Sequence, residues 1–479
     1  MKHKPLMSVL TLVMINVIAI DSLRNISMGA NYGFSVVFYY LVCALMFFIP
    51  SALVSAELAT GWPQTGGIYV WVREAFGVPT AFVVVWIQWI YNICWYPTIL
   101  SFMAGVLAYI ISPELANNAW YMLTVVLATY WLLTLITLRG MHVSGAISMV
   151  AAIIGVLIPL GFIAILGGVW LFSGKPIQID MSVKSILPQI SKPGDLVLLT
   201  MVMYGLVGME MSATHAQEVK DPQRNYPRAL CYSTIIIFVS LVLSTLAVAM
   251  VVPAKELHSG VGLVTALIEA FTLFLTAFHL SWLMPIVVIL IVVGTVGSVG
   301  AWMIGPTRGV LVAAQDGCIP PFLQKVNSNQ MPVAILIMQA IICSVISLVF
   351  LVMPSVNSSF LILSDLTSQL ALSGYIFIFA AAIRLRYKRP EVQRAYKIPF
   401  GNVGMWVVCV AGIIASIFIV LIGFVPPSNI AIGSLKFYEG FLIVGFVGGY
   451  LIPLVIYKLR KRSWRIKERE RNLLFNNPN

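Results

Sequence analysis

Three charged side chains, Asp21, Arg24 and Glu210, stand inside stretches of sequence that are otherwise apolar. A charged group in such surroundings is costly, and it usually pairs with another charge or serves a substrate or proton pathway. A carboxylate at Asp21 can attract an ammonium group, and the guanidinium of Arg24 can attract a carboxylate. Because these two residues are three apart, they can also neutralise each other on one helical face. Glu210 is a candidate proton sensor or gate, since a buried carboxyl group holds its proton until a cation or water arrives.

The composition indicates what kind of protein carries these charges. Of 479 residues, 60% are hydrophobic and 10% are charged, and the mean hydropathy is +0.96. Ordinary soluble proteins contain about 25% charged residues, so this composition excludes soluble enzymes and soluble nucleic-acid-binding proteins. The net charge of +12 comes from 29 Lys and Arg against 17 Asp and Glu, and its meaning depends on where the basic residues lie.

About twelve stretches reach the roughly 20 apolar residues that a helix needs to cross a bilayer. They lie at 6–29, 36–58, 81–111, 119–138, 143–172, 196–213, 229–252, 282–314, 333–353, 360–384, 403–425 and 437–457. With twelve spans, 23 of the 29 Lys and Arg residues fall on the side of the two termini and five on the other. This distribution predicts cytoplasmic termini, and the short connections favour a bacterial cell (inner) membrane. The basic segment 458–479 is then a short cytoplasmic tail beside anionic lipid.

Two of these stretches are interrupted near the expected centre of the membrane. The first has 15 mostly apolar residues at 6–20, about 22 Å of helix, before the polar run at 21–25. The sixth runs from 196 to 204 and then meets two glycines and Glu210. Matching interruptions are typical of secondary transporters built from inverted repeats. The sequence therefore predicts one transmembrane transporter domain at 1–457, with repeat one at about 6–172, repeat two at about 195–385 and two more helices at about 403–457.

The interrupted segments are the predicted substrate site. Irregular backbone survives at this depth only where it is buried or lines a watery cavity. Its free N–H groups and helix ends bind a carboxylate, while its free carbonyls accept from an ammonium group, so a zwitterionic amino acid fits. The residues predicted to bind it are Ile20, Asp21, Ser22, Leu23 and Arg24 in the first interruption and Gly205, Gly208 and Met209 in the second.

Four segments resemble the amino acid–polyamine–organocation transporters. They are FIPSALVSAELATGWPQTGGIYVWVREAFG at 48–77, YGLVGMEMSATHAQEVKDPQRNYPRAL at 204–230, GSVGAW at 297–302 followed by GPTRG at 305–309, and IRLRYKRPEVQRAYKIPFG at 383–401. The closest branch is the glutamate/γ-aminobutyrate antiporters, on the residues MEMSATHAQE, GFSVVF and WMIGPTRG. The resemblance implies an all-α integral membrane protein with twelve transmembrane helices, a LeuT-like 5+5 inverted repeat and discontinuous helices 1 and 6.

The resemblance also implies roles for particular side chains. Tyr204 resembles the family's aromatic lid over the substrate, and Trp302 resembles its aromatic counterpart on the eighth helix. Ser298 stands where this branch can carry a carboxylate, Glu210 occupies a G-x-E element, and Glu57 is expected to help packing and gating. The chain departs from the branch in its first interruption, which carries charges where small or uncharged residues are usual.

Four other polar residues belong to the predicted site or its gates. Asn92 and Tyr96 lie in an aromatic cluster on the third helix and are candidate cavity residues. Asp365 is expected to face the interior, because an acid facing lipid would be costly. Glu218 is expected in a solvated gate network at the cytoplasmic end of the sixth helix. The predicted proton-coupling or gating set is Glu210, Glu57, Glu218 and Asp365.

These features predict a secondary active amino-acid transporter, either an antiporter or a proton-coupled permease, that works by alternating access. A polyamine or amine exchanger of the same fold is the first alternative, and an ion channel is a more distant one. The sequence has no Walker A loop, HExxH pair or Ser/His/Asp spacing, so we expect no enzyme activity, metal or cofactor. The expected partners are a small zwitterion or amine, a co-transported proton and the lipid bilayer, with no nucleic acid, in a monomer or homodimer.

Overall fold

A computed structural model describes residues 8–63, 66–140, 150–151, 153–211, 221–257, 262–329, 331–428 and 432–465. Within these ranges the chain is helical and has no β-strand. Ten helices of the described ranges are long and apolar enough to cross a membrane, and a bent pair makes an eleventh. The predicted sixth span appears as a short helix followed by non-helical backbone, and its continuation at 212–220 lies outside the described residues. The chain is a multi-pass membrane protein, and twelve spans remain a prediction.

The described part of the chain contains fifteen principal helices, numbered in chain order. They are α1 (Val9–Ile20), α2 (Leu23–Ala30), α3 (Gly33–Gly61), α4 (Ile68–Phe76), α5 (Val78–Ile111), α6 (Ala119–Leu138), α7 (Ile153–Phe172), α8 (Leu198–Tyr204), α9 (Pro222–Val251), α10 (Gly262–Ala277), α11 (Met284–Gln315), α12 (Val333–Val352), α13 (Val356–Lys388), α14 (Gly401–Ile422) and α15 (Leu435–Lys458).

Local sequence signals begin several of these helices. The side chain of Asn118 accepts from the Tyr121 N–H at 3.0 Å before α6, and Ser355 accepts from the Ser358 N–H at 3.1 Å before α13. Such caps satisfy N–H groups that have no partner within the helix. Gly77 separates α4 from α5 with φ +94°, a conformation that glycine adopts without a side-chain clash. Polar caps and glycines thus set the ends of otherwise continuous apolar runs.

Two long helices, α5 and α13, lie at the centre of the molecule. In an 18-residue apolar stretch of each helix, 83% of the residues of α5 and 78% of those of α13 are buried inside the protein, against 17% for α15. The outer helices expose large apolar side chains, among them Leu421 on α14 and Val444 on α15. Exposed apolar surface on this scale suits contact with lipid. The polar residues that matter for function are therefore expected where α5 and α13 meet the interrupted helices.

Both sequence-predicted interruptions lie in non-helical backbone. Helix α1 ends at Ile20, the next two residues are extended, and α2 begins at Leu23 after a bend of 51°. Helix α8 ends at Tyr204, and 205–210 forms turns. Gly208 has φ +133°, which a residue with a Cβ atom rarely adopts.

Candidate functional site

The two interruptions lie against each other. A Cβ atom built on Gly208 would be 3.0 Å from Cγ1 of Ile20, and one built on Gly205 would be 2.7 Å from Nδ2 of Asn25. Glycine at these positions lets the two segments approach closely, and at Gly208 it also allows the left-handed backbone. The structure therefore brings together two segments that are separated by about 180 residues in the sequence.

Arg24 is buried at the start of α2 and is held by three side chains. Its Nη1 donates to Oγ1 of Thr98 on α5 at 2.8 Å and to Oγ of Ser364 on α13 at 3.2 Å, and its Nη2 donates to Oδ1 of Asn25 at 3.0 Å. These partners are neutral, so they orient the guanidinium without neutralising it. No feature of the sequence distinguishes Thr98 or Ser364, because hydroxyl residues are common in membrane helices.

Two aromatic rings flank the same guanidinium. The Arg24 Cζ atom lies 5.6 Å from the ring centroid of Tyr204 and 5.5 Å from that of Phe360. Within the described part of the chain, no carboxylate forms an ion pair with Arg24, and its Nε atom has no hydrogen-bond partner. A buried cation without a counter-charge is strongly disfavoured, and the neutral groups around Arg24 leave its charge uncompensated within the described residues.

Asp21 faces a different helix. The hydroxyl of Ser240 on α9 donates to its carboxylate, 2.9 Å from Oδ2 and 3.2 Å from Oδ1. Among the described residues, Asp21 and Arg24 form no ion pair with each other. The alternative of a mutual structural pair is wrong, because the extended residues between α1 and α2 turn the two side chains to opposite neighbours.

Trp302 connects α11 to the end of α1. Its Nε1 donates to the carbonyl oxygen of Ala19 at 3.2 Å, and the hydroxyl of Tyr96 donates to the Trp302 carbonyl at 3.2 Å. A Cβ atom on Gly208 would lie 3.4 Å from the Trp302 ring. The indole thus packs beside both interruptions, where the resemblance places an aromatic substrate contact.

A small cavity borders the first interruption. It brings Ser298 on α11 close to Ser22, Leu23 and Arg24, all four of which are predicted site residues. The other residues that line it are Ile99, Phe102, Val156 and Thr295. Hydroxyl groups, a guanidinium and apolar side chains thus line one small space beside the first interruption.

Glu210 is buried at the second interruption and contacts α13. The hydroxyl of Tyr375 donates to its Oε2 atom, and the Gly208 N–H donates to the same hydroxyl at 3.0 Å. The other carboxylate oxygen, Oε1, has no partner among the residues described. Tyr375 therefore links the backbone of the interruption to its acidic side chain. Sequence reasoning missed it, since a single tyrosine in an apolar helix has no distinctive spacing.

Asp365 faces the interior of the protein, as expected, and connects three helices. Its Oδ1 atom lies 2.7 Å from the hydroxyl of Thr200 on α8, and the hydroxyl of Tyr438 on α15 donates to its Oδ2 at 2.6 Å. The Thr200 hydroxyl also lies 2.6 Å from the carbonyl oxygen of Val197. Helix α8 is thus connected through one carboxyl group to α13 and α15.

Glu57 lies in a separate cluster at the end of α3. Its carboxylate accepts from Nε of Arg386 at 2.8 Å, from Nη2 of the same residue and from the Ile398 N–H at 2.9 Å. Nε of Arg394 lies 3.6 Å from Oε1 of Glu57. This buried network joins the end of α3 to the end of α13 and the segment that follows it.

The remaining predicted residues are more scattered. Asn92 donates to the carbonyl of Gln88 at 2.7 Å, and its Oδ1 has no partner within the described ranges. Met209 is buried in the second interruption. Glu218 lies outside the described residues.

An all-helical multi-pass membrane protein in which two non-helical segments meet beside buried charges has the construction of a membrane transporter. The chain belongs to the amino acid permease family, whose model matches residues 7–447. It is a transporter of the amino acid–polyamine–organocation superfamily and not an enzyme.

Comparison with known proteins places it among named transporters. It is 46% identical over 459 residues to an uncharacterized transporter of Legionella pneumophila, covering 96% of this chain and 98% of that protein. It is 31% identical over 432 residues to a glutamate/gamma-aminobutyrate antiporter of Lactococcus lactis, covering 89% and 85%. It is 26% identical over 372 residues to a probable agmatine/putrescine antiporter of Lactococcus lactis, covering 77% of each chain.

Proposed function

We propose that this protein is a secondary active amino-acid transporter of the antiporter type, with substrate bound where the two interrupted spans meet. The observation that carries the proposal is Arg24, a buried cation with hydroxyl and aromatic neighbours and no acidic partner among the described residues. Two similar proteins are named as antiporters, one for glutamate and gamma-aminobutyrate and one, as a probable assignment, for agmatine and putrescine.

The proposed architecture is a LeuT-like 5+5 inverted repeat. The first repeat, at about 6–172, runs from α1 to α7, the second, at about 195–385, runs from α8 to α13, and helices α14 and α15 follow within a transporter domain at 1–457. The basic residues favour twelve spans and cytoplasmic termini, with a basic tail at 458–479, and the short connections favour a bacterial inner membrane. The 51° bend between α1 and α2 and the non-helical backbone after α8 support the two discontinuous helices.

The proposed binding mode assigns one group of an amino acid to each charged residue. A distal carboxylate of the substrate contacts Arg24, because the guanidinium is planar and its Nε–H has no partner among the described residues, which suits an oxyanion. The α-ammonium group contacts Asp21, and the α-carboxylate contacts N–H groups freed by the interruptions. Proposed contacts around these are Ile20, Ser22, Leu23, Tyr204, Gly205, Gly208, Met209, Trp302, Ser298, Asn92 and Tyr96.

We propose Glu210 and Asp365 as the proton-coupling groups. A threonine hydroxyl in a helix commonly donates to a carbonyl three or four residues earlier, which suits the 2.6 Å contact between Thr200 and Val197. The same hydroxyl lies 2.7 Å from Oδ1 of Asp365, and it donates to the carboxylate when Asp365 is charged. The hydroxyl of Tyr438 donates to Oδ2 of the same group. Protonation of Asp365 would weaken these two hydrogen bonds and so loosen the connection between α8, α13 and α15. Glu57 and Glu218 are proposed as gating residues.

Exchange in proteoliposomes tests the proposed function. Liposomes that contain the purified protein are loaded with one unlabelled compound. They should accumulate the same compound, added outside in radiolabelled form, without ATP. The panel should include the twenty amino acids, γ-aminobutyrate, agmatine and putrescine, at two pH values. Protein-free liposomes give the leak. If no compound exchanges above this leak, the proposed function is wrong.

The second candidate function is amine exchange, and Asp21 is the observation that favours it. A carboxylate with one neutral hydroxyl partner suits an ammonium group, but Arg24 would repel a substrate with two positive charges. Exchange of putrescine or agmatine without exchange of amino acids would favour this alternative. Conductance far above transporter turnover would instead indicate a channel.

A further inference from the structure

Asn357 is a buried side chain whose amide makes no hydrogen bond to any residue that the structure describes. Only 2% of the residue is exposed, and neither its nitrogen nor its oxygen has a partner in the described part of the chain. An amide offers two donors and an acceptor, and leaving buried polar atoms unsatisfied costs about 1–3 kcal/mol per group. A bound molecule or water can satisfy a buried amide of this kind.

The position of Asn357 on α13 relates it to the site around Arg24. It lies seven residues before Ser364, which contacts Arg24, and three before Phe360, whose ring flanks the guanidinium. Seven residues of α-helix return to within about 20° of the same direction after about 10 Å. Asn357 therefore lies on the Arg24-facing side of α13, nearer the start of the helix, with Phe360 between.

A second buried polar group, the hydroxyl of Ser27, lies on α2 beyond Arg24. Ser27 follows Arg24 by three residues and so lies about one turn further along the same side of α2. Ser27 is fully buried, and its hydroxyl has no partner in the residues that are described. In the proposed topology α2 runs outward and α13 runs inward. Ser27 and Asn357 are consequently both on the outer side of Arg24.

We propose that Asn357 and Ser27 form an outer subsite, which binds the polar groups of the substrate before it reaches Arg24. The amide can donate to a carboxylate and accept from an ammonium group, so it fits any zwitterionic amino acid. Phe360 separates this outer subsite from the guanidinium. When no substrate is bound, exchanging water satisfies the two residues, as is usual for buried polar groups in a transport pathway. This inference rests on the proposed function.

The test compares the two faces of the membrane. The Asn357→Leu and Ser27→Ala variants are reconstituted, and exchange is measured with the radiolabelled amino acid that gives the fastest counterflow in wild-type protein. Asn357→Leu should raise KM at the outer face at least fivefold and leave KM at the cytoplasmic face unchanged. Ser27→Ala should give a smaller change of the same kind. An unchanged outer KM, or an equal change at both faces, would overturn the proposal.

Thermal stability provides the matched control. Asn357→Leu should leave the substrate-free Tm unchanged or raise it, because it removes no hydrogen bond to the described part of the chain. Asn16→Leu should lower Tm, since the Asn16 amide donates to Oγ of Ser233 at 3.1 Å across two helices. If Asn357→Leu fails to fold, Asn357→Thr and Ser27→Ala give the same comparison of KM at the two faces. A wild-type protein that exchanges no amino acid refutes the proposed function itself, whereas normal exchange with unaltered variants refutes the outer subsite alone.

Discussion

Asp21 and Arg24 are three residues apart and bind to different helices. The carboxylate accepts from Ser240 on α9, whereas the guanidinium donates to Thr98 on α5 and Ser364 on α13. The two extended residues between α1 and α2 separate the side chains that a continuous helix would place on one face. Each charge therefore has its own neutral hydrogen-bond partners.

Arg24 should determine selectivity for a distal carboxylate. Arg24→Gln should weaken binding of glutamate and aspartate by about 10- to 100-fold, as expected for the loss of a hydrogen bond to a charged group. Binding of neutral amino acids should change little. Arg24→Lys keeps the charge but loses the planar guanidinium, so its affinity for glutamate and aspartate should lie between those of wild type and Arg24→Gln. Competition against radiolabelled exchange measures these affinities, and an equal loss for all substrates would assign Arg24 a structural role.

Asp21 should act on every substrate with an α-ammonium group. Asp21→Asn should weaken the binding of acidic and neutral amino acids alike, by about 10- to 100-fold. The attraction between Asp21 and the ammonium group does not depend on the substrate side chain. Ser240→Ala is the control, since it removes a hydrogen bond to Asp21 while keeping the charge, and its effect should be smaller. The same competition assay applies. A loss restricted to acidic substrates would contradict this role.

The fold was largely predictable because each element carries its own signal. The long apolar runs that became α3, α5 and α13 exceed the length needed to cross a bilayer. The polar run at 21–25 and Gly205 and Gly208 stand where a continuous helix would be disfavoured, and the structure has non-helical backbone at 21–22 and 205–210. The residues of these interruptions could therefore be named from the sequence.

The partners of the charged residues could not be predicted in the same way. Thr98 and Ser364 lie 74 and 340 residues from Arg24 in the sequence, and Tyr375 lies 165 from Glu210. Their meeting depends on how the helices rotate about their axes and pack. Several faces of α13 are apolar with scattered hydroxyls, so local periodicity does not identify the one that faces the site.

Glu210 and Tyr375 should set the pH dependence of exchange. Glu210→Gln has no titrating group at this position, so the pH profile of exchange should become flatter. Tyr375→Phe removes a donor to the charged carboxylate and should move the midpoint of the profile to higher pH. Initial rates of exchange between pH 4 and pH 8 provide the measurement, with Tyr450→Phe on α15 as a tyrosine control. Profiles identical to wild type would remove this pair from proton coupling.

Asp365 should couple proton binding to the position of α8. Asp365→Asn imitates the protonated group and should allow exchange while abolishing accumulation driven by a pH gradient. Tyr438→Phe removes the hydrogen bond from α15 and keeps the titrating carboxyl group, so it should reduce coupling only in part. Uptake with and without an imposed pH gradient distinguishes the two activities. Full gradient-driven accumulation in Asp365→Asn would exclude Asp365 as a coupling group.

Glu57 and Arg386 should contribute to stability as a coupled pair. Glu57→Gln or Arg386→Gln leaves the other charge buried and should destabilise the protein by about 3–5 kcal/mol, seen as a lower Tm in thermal unfolding. The double variant should lose less stability than the two single variants together, because neither charge is left without its partner.

An exposed ion pair supplies the control for this cycle. Arg389 and Glu74 lie 3.7 Å apart with 46% and 29% of their side chains exposed, so Glu74→Gln should change stability by about 0–1 kcal/mol. Arg394 also lies near Glu57 and keeps its charge in the double variant, so the rescue should be incomplete. Additive losses in the double variant would show that Glu57 and Arg386 stabilise the helix ends independently, and a gate built on their pairing would then be ruled out.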